Sequence, residues 1–121
     1  MSQTEQYAEI QLNFRQTVLP STGYKQTQSY FRAGKVTQLI FHFPPGCNGL
    51  VDMVLLKDEQ PFYPLSGTLA LDNATPVIYV DADCYAKEPF TLIVSNRDSA
   101  NSHSPTCTVS IRFTKPSWFE Q

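Results

Sequence analysis

The stretch Thr106-Cys107-Thr108-Val109-Ser110-Ile111-Arg112-Phe113-Thr114 decides the fold class of this chain. Cys107, Val109, Ile111 and Phe113 fall on one side of an extended backbone, and Thr108, Ser110 and Arg112 on the other. A two-residue period belongs to a strand with one buried and one wet face. Thr, Val, Ile and Phe also suit a pleated surface. Upstream, Phe90 to Ser95 reads as a second strand, joined to the first by a polar loop from Asn96 to Pro105. The expectation is a central hairpin of an all-β domain, with Leu92, Val94, Val109, Ile111 and Phe113 buried.

Working outward, Ala8, Ile10, Leu12 and Phe14 alternate with polar residues and form a first strand. Pro20 to Gly23 is a turn cluster. Tyr24 to Arg32 reads as an edge strand or an extended arm. From Val36 to Phe43, the residues Leu39, Phe41 and Phe43 share a face, with Ile40 and His42 opposite. Pro44-Pro45-Gly46 stops that strand, because proline supplies no ladder donor. Leu50 to Leu56 is a largely apolar strand, followed by a charged turn from Lys57 to Gln60. Thr68 to Leu71 and Pro76 to Val80 make two short strands; no segment shows sustained helical periodicity, and any helix would be a single turn near Asp83 to Lys87. Short strands with frequent turn signals, about seven to nine in number, predict a single antiparallel β-sandwich, jelly-roll-like or immunoglobulin-like. Residues 1–6 read as a flexible N-terminal lead, 7–114 as the sandwich and 115–121 as a C-terminal tail, so that both ends are extended arms.

The 121 residues suit one domain. Hydrophobic residues make up 41%, with eight Phe and six Tyr, which supplies a packed core. Nine basic against eleven acidic groups leave a net charge of -2, so no basic excess neutralises phosphates and nucleic acid is not an expected partner. No apolar run approaches the roughly 20 residues of a membrane helix, and no membrane is expected. The start, Met-Ser-Gln-Thr-Glu-Gln, lacks a signal-peptide layout, which predicts synthesis in a cytoplasm. Cys47, Cys84 and Cys107 are an odd, sparse set, expected as reduced packing residues rather than a disulfide framework.

Several clusters carry the residue types of site chemistry. His42 with Cys47, and His103 with Cys107, have the donors of a soft metal site. Proline separation and the burial of Cys107 favour ordinary strand-end and loop histidines. Asp81 and Asp83, with Asp72 and Asn73, offer oxygen ligands to calcium but lack the EF-hand spacing. Asp98, Ser102 and His103 hold the side chains of nucleophilic catalysis on a loop rich in Ser and Asn. There, local side-chain-to-backbone bonds that shape the turn are the simpler reading. The chain is thus expected to be no enzyme, with no catalytic, metal-binding or cofactor-binding residue and no cofactor. Exposed-looking aromatics say more. Phe62 and Tyr63 lie between prolines, and Trp118 and Phe119 follow Pro116. They are either caps on the domain's own core or anchors for a partner.

The block from Phe41 to Val51, Phe-His-Phe-Pro-Pro-Gly-Cys-Asn-Gly-Leu-Val, resembles small β-sandwich virion proteins of tailed bacteriophages. So do Ala70 to Pro76 and Ser95 to Asp98. The resemblance spans about Phe41 to Phe113, rests on turns and strands, and has no counterpart for the first 35 residues. It implies a capsid cement or decoration protein: a virion component that binds the major capsid protein or another virion protein and forms a dimer or trimer. The alternative is a β-sandwich module binding carbohydrate or a host surface, with Phe62, Tyr63 and Trp118 as stacking platforms.

Overall fold

A computed structural model describes residues 7–114. Among these residues the chain forms eight strands: β1 (Tyr7–Arg15), β2 (Gly23–Gln28), β3 (Gly34–His42), β4 (Val51–Lys57), β5 (Gln60–Tyr63), β6 (Val77–Cys84), β7 (Phe90–Asn96) and β8 (Thr106–Thr114). They make two four-stranded sheets, ordered β1-β8-β3-β6 and β2-β7-β4-β5. The chain is one long antiparallel hairpin rolled into a sandwich. Its tip is the β4–β5 turn, where Asp58 and Glu59 both take positive φ, 51° and 65°, as a two-residue hairpin turn demands. From that tip outward β3 pairs with β6, β2 with β7 and β1 with β8, all antiparallel. The added pairings β3 with β8 and β4 with β7 close each sheet. This is the jelly-roll arrangement. An immunoglobulin-like sandwich is excluded, since only β4 and β5 are neighbours in both sequence and sheet.

Alternation sends one face of each central strand inward. Cys107, Val109 and Ile111 of β8 are fully buried, and so are Phe90 and Leu92 of β7 and Leu39 and Phe41 of β3. Each such side chain contributes roughly 1.5–3 kcal/mol by leaving water. The expected β7–β8 hairpin is corrected here. The two strands lie in opposite sheets and face each other through the core, and the loop between them crosses the end of the sandwich. The other departures are local. Thr68 to Leu71 reduces to one bridge, Leu69 to Met53. Asp83 to Lys87 forms no helix: Asp83 and Cys84 complete β6, and Lys87 turns the chain with φ 64°. Tyr24 to Arg32 resolves into the edge strand β2, after which the chain leaves the sheet.

Candidate functional site

The loops that cross one end of the sandwich hold the most concentrated polar chemistry. Asn96 ends β7 with its side chain buried, and its Nδ2 donates to the carbonyls of Val18 (3.1 Å), Leu19 (3.3 Å) and Asn101 (3.0 Å). Its Oδ1 accepts from the Asp98 amide at 3.0 Å. Asp98 Oδ1 in turn accepts from the amides of Ala100 (2.9 Å) and Asn101 (3.2 Å), and Oδ2 meets His103 Nε2 at 2.9 Å. The backbone of His103 exchanges two hydrogen bonds with Val18, of 2.7 and 3.1 Å, which ties the β1–β2 and β7–β8 connections together. Asp98 and His103 are each 8% exposed. The Ala100 amide first, and His103 next, hold the Asp98 carboxyl down at about 2. Ser102 is exposed, and the group bonded to the His103 ring is the Asp98 carboxylate. The network fastens two crossovers and aims its polar atoms inward. It is a structural clasp.

The soft donors do not converge. His42 Nδ1 meets Thr75 Oγ1 at 2.8 Å, while Cys47 is buried in the turn after β3. Cys107 sits between the sheets, where burial pushes its thiol up to about 12; Cys47 and Cys84 are also buried and free, and desolvation raises both. Thiols held neutral in this way are poor nucleophiles and poor ligands. Asp81 and Asp83 share Lys35, at 3.2 and 3.5 Å. Asp72 Oδ1 accepts from the amides of Gly46 (3.0 Å) and Asn48 (2.9 Å), which shapes the turn around Cys47. Among the described residues no group of three or more His, Cys, Asp or Glu is placed to hold a metal ion.

The predicted contact aromatics divide. Phe62 and Tyr63 are half-buried and pack on the core, with ring centroids 6.4 Å from Phe90 and 5.7 Å from Phe41. A register shift between Leu55 and Leu56 interrupts the β4–β5 alternation, so both neighbouring rings lean inward. Trp118 and Phe119 lie outside the described residues.

A surface that the sequence does not single out is the edge of β6, which pairs on one side alone among the described residues. Val77 and Tyr79 point outward, 42% and 80% exposed, while Ile78 and Val80 pack against the core. The hydrogen bond from the Phe41 amide to the Pro76 carbonyl, 3.1 Å, fixes the parity of the ladder. Backbone groups of an antiparallel strand alternate sides, so Pro76 and Ile78 face β3 and the amides and carbonyls of Val77 and Tyr79 face the open side. The signal was the unbroken run Val77-Ile78-Tyr79-Val80, which reads equally well as a strand covered on both faces. A cleft of about 420 Å³ lies on the same sheet between Tyr7, Gly34, Lys35, Arg112 and Phe113. Arg112 covers the Tyr7 ring at 4.7 Å.

No family model and no curated protein sequence matches the chain. Solved structures do. A chain of Desmodium yellow mottle tymovirus aligns with TM-score 0.50 and 9% identity over 96% of this chain and 91% of that one. The Yersinia pseudotuberculosis-derived mitogen aligns with TM-score 0.50 and 9% identity over 91% and 92%. The structure titled FLHE aligns with TM-score 0.48 and 14% identity over 88% and 98%. At 9% identity the likeness to the first two is one of fold alone.

Proposed function

We propose that this chain is a non-enzymatic structural protein of a bacteriophage virion, of the capsid cement or decoration kind. It binds the major capsid protein or another virion protein and associates with copies of itself. The observation that carries the reading is where the molecule spends its polar groups. The Asp98–His103 pair is locked into a clasp, whereas the β6 edge leaves backbone donors and acceptors and an 80% exposed tyrosine facing outward. Such an edge binds by strand addition and needs no pocket. The jelly roll is a common architecture of viral capsid and lectin domains, which supports the reading, while the edge and not the fold carries it. The carbohydrate alternative is weaker, since Phe62 and Tyr63 cover Phe90 and Phe41 and would have to leave the core to stack on a sugar.

Trp118 and Phe119 are proposed as further partner contacts. Leaving either ring in water forgoes roughly 1.5–3 kcal/mol. Deleting residues 116–121 is expected to leave the melting temperature of the chain unchanged and to weaken attachment or self-association. A lower melting temperature with attachment intact speaks against that role. The function itself is tested by mass spectrometry of purified virions from cells expressing the chain at its native locus. Recovery in a fixed ratio to the major capsid protein supports it. Recovery only in the soluble lysate contradicts it.

A further inference from the structure

We infer that the free edge of β6 pairs with the same edge of a second copy, joining two four-stranded sheets into one eight-stranded sheet about a two-fold axis. The inference deepens the proposed function and rests on its self-association; it specifies the surface.

The four sheet edges are not equivalent. β5 is four residues long and carries Pro61, with Pro64 just beyond it. Short edges with proline resist added strands. β2 presents Lys25 on its exposed face, a charge that guards an edge. On β1 the Asn13 carbonyl is taken by Gln28 Nε2, and Glu9 and Arg15 stand exposed. β6 has neither lysine nor proline from Val77 to Cys84. Pro76 directs its missing donor toward β3, so it removes nothing from the open side. The two acids that could guard this edge, Asp81 and Asp83, are both engaged by Lys35.

A second copy fits better than an arbitrary strand because the edge is complementary to itself. Antiparallel pairing centred on Ile78 sets Val77 of one copy opposite Tyr79 of the other, and the reverse. Their outward amides and carbonyls then form four hydrogen bonds around the axis. The side chains of these pairs share one face of the joined sheet, where an aromatic and a β-branched residue directly opposed are a favourable cross-strand pair. Beyond Tyr79 the pairing of β6 with β3 shifts register before Ala82, so the joint is confined to Val77–Tyr79. No acid meets an acid. A register one step longer, centred on Tyr79, sets Asp81 against Val77 and loses the match of Val77 with Tyr79.

Two substitutions separate the edge from the fold. Val77→Pro removes an amide that the chain's own ladder does not use. Tyr79→Lys places a charge at the centre of the joint without touching the core. Sedimentation velocity of the full chain over a concentration series is expected to give a reversible dimer for the wild type. Both variants are expected to sediment as monomers, with unchanged circular dichroism and melting temperature. If Val77→Pro unfolds, Tyr79→Lys still gives the answer. A wild type that stays monomeric at its highest soluble concentration overturns the inference, as does a dimer that survives Tyr79→Lys. Both readouts use the isolated chain, so a dimer broken at β6 stands even if the chain is absent from virions.

Discussion

Two regions of the sandwich use the same backbone chemistry to opposite ends. In the clasp of Asn96, Asp98 and His103, side-chain amides and carboxylates bond to loop carbonyls and amides and to the His103 ring. At the β6 edge, the amides and carbonyls of Val77 and Tyr79 face outward, beside side chains that are themselves exposed. The clasp is rich in residues that catalyse reactions elsewhere and is closed; the edge is poor in them and is open. Chemistry-bearing residue types therefore mark the least available part of this molecule. The available part is marked by β-formers on a strand that has a single neighbour among the described residues.

The contrast rests on a common core, and the largest effect is expected there. Ile111→Ala, at a fully buried position, should cost roughly 2–5 kcal/mol in denaturant unfolding. An unchanged midpoint would mean that the inward face of β8 is misassigned. The clasp comes next. Asn96→Ala removes one donor from each of the carbonyls of Val18, Leu19 and Asn101, and the Oδ1 acceptor of the Asp98 amide. Buried groups stripped of a partner cost roughly 1–3 kcal/mol, so unfolding should shift by that order, and a neutral result would show the clasp to be ornamental.

Acid sharpens the comparison. The Asp98 carboxyl is lowered from 3.8 to about 2 in the folded chain. Its stabilising contribution is therefore complete above about pH 4 and lost as pH falls toward about 2. Asp98→Asn should flatten that limb of the stability curve, and a wild-type slope in the variant would place the acid sensitivity elsewhere. The smallest effect on the fold is expected at the edge. Tyr79→Lys should change stability by less than about 0.5 kcal/mol, as exposed substitutions generally do. A larger loss would show that Tyr79 serves the fold.

Much of the fold could be read from periodicity. The inward faces of β1, β3, β4, β7 and β8 follow the alternation of Leu12, Leu39, Met53, Leu92 and Val109 with their neighbours. Alternation reveals which face is buried but not which strand lies alongside. A period of two is the same for a hairpin partner as for a strand facing it across the core, so β7 and β8 were paired wrongly. The candidate site was less legible. Pro61 and Pro64 made Phe62 and Tyr63 look exposed, and only the register shift in β5 turns them inward. Asp98 and His103 were visible as residues, but their mutual bond depends on how two crossovers meet. Tyr79 was hidden by its apolar neighbours, because a run without polar residues carries no parity.

Residue-resolved amide hydrogen exchange, at low and high protein concentration, tests the contrast between clasp and edge most directly. The amides of Val18, Asp98, Ala100 and His103 should be protected at every concentration, since their partners lie within the chain. Those of Val77 and Tyr79 should exchange freely when the chain is dilute and become protected as it is concentrated, while the amide of Ile78, which faces β3, stays protected throughout. Edge amides that exchange at the same rate at both concentrations would contradict the account, and so would protection of Val77 and Tyr79 in the dilute monomer.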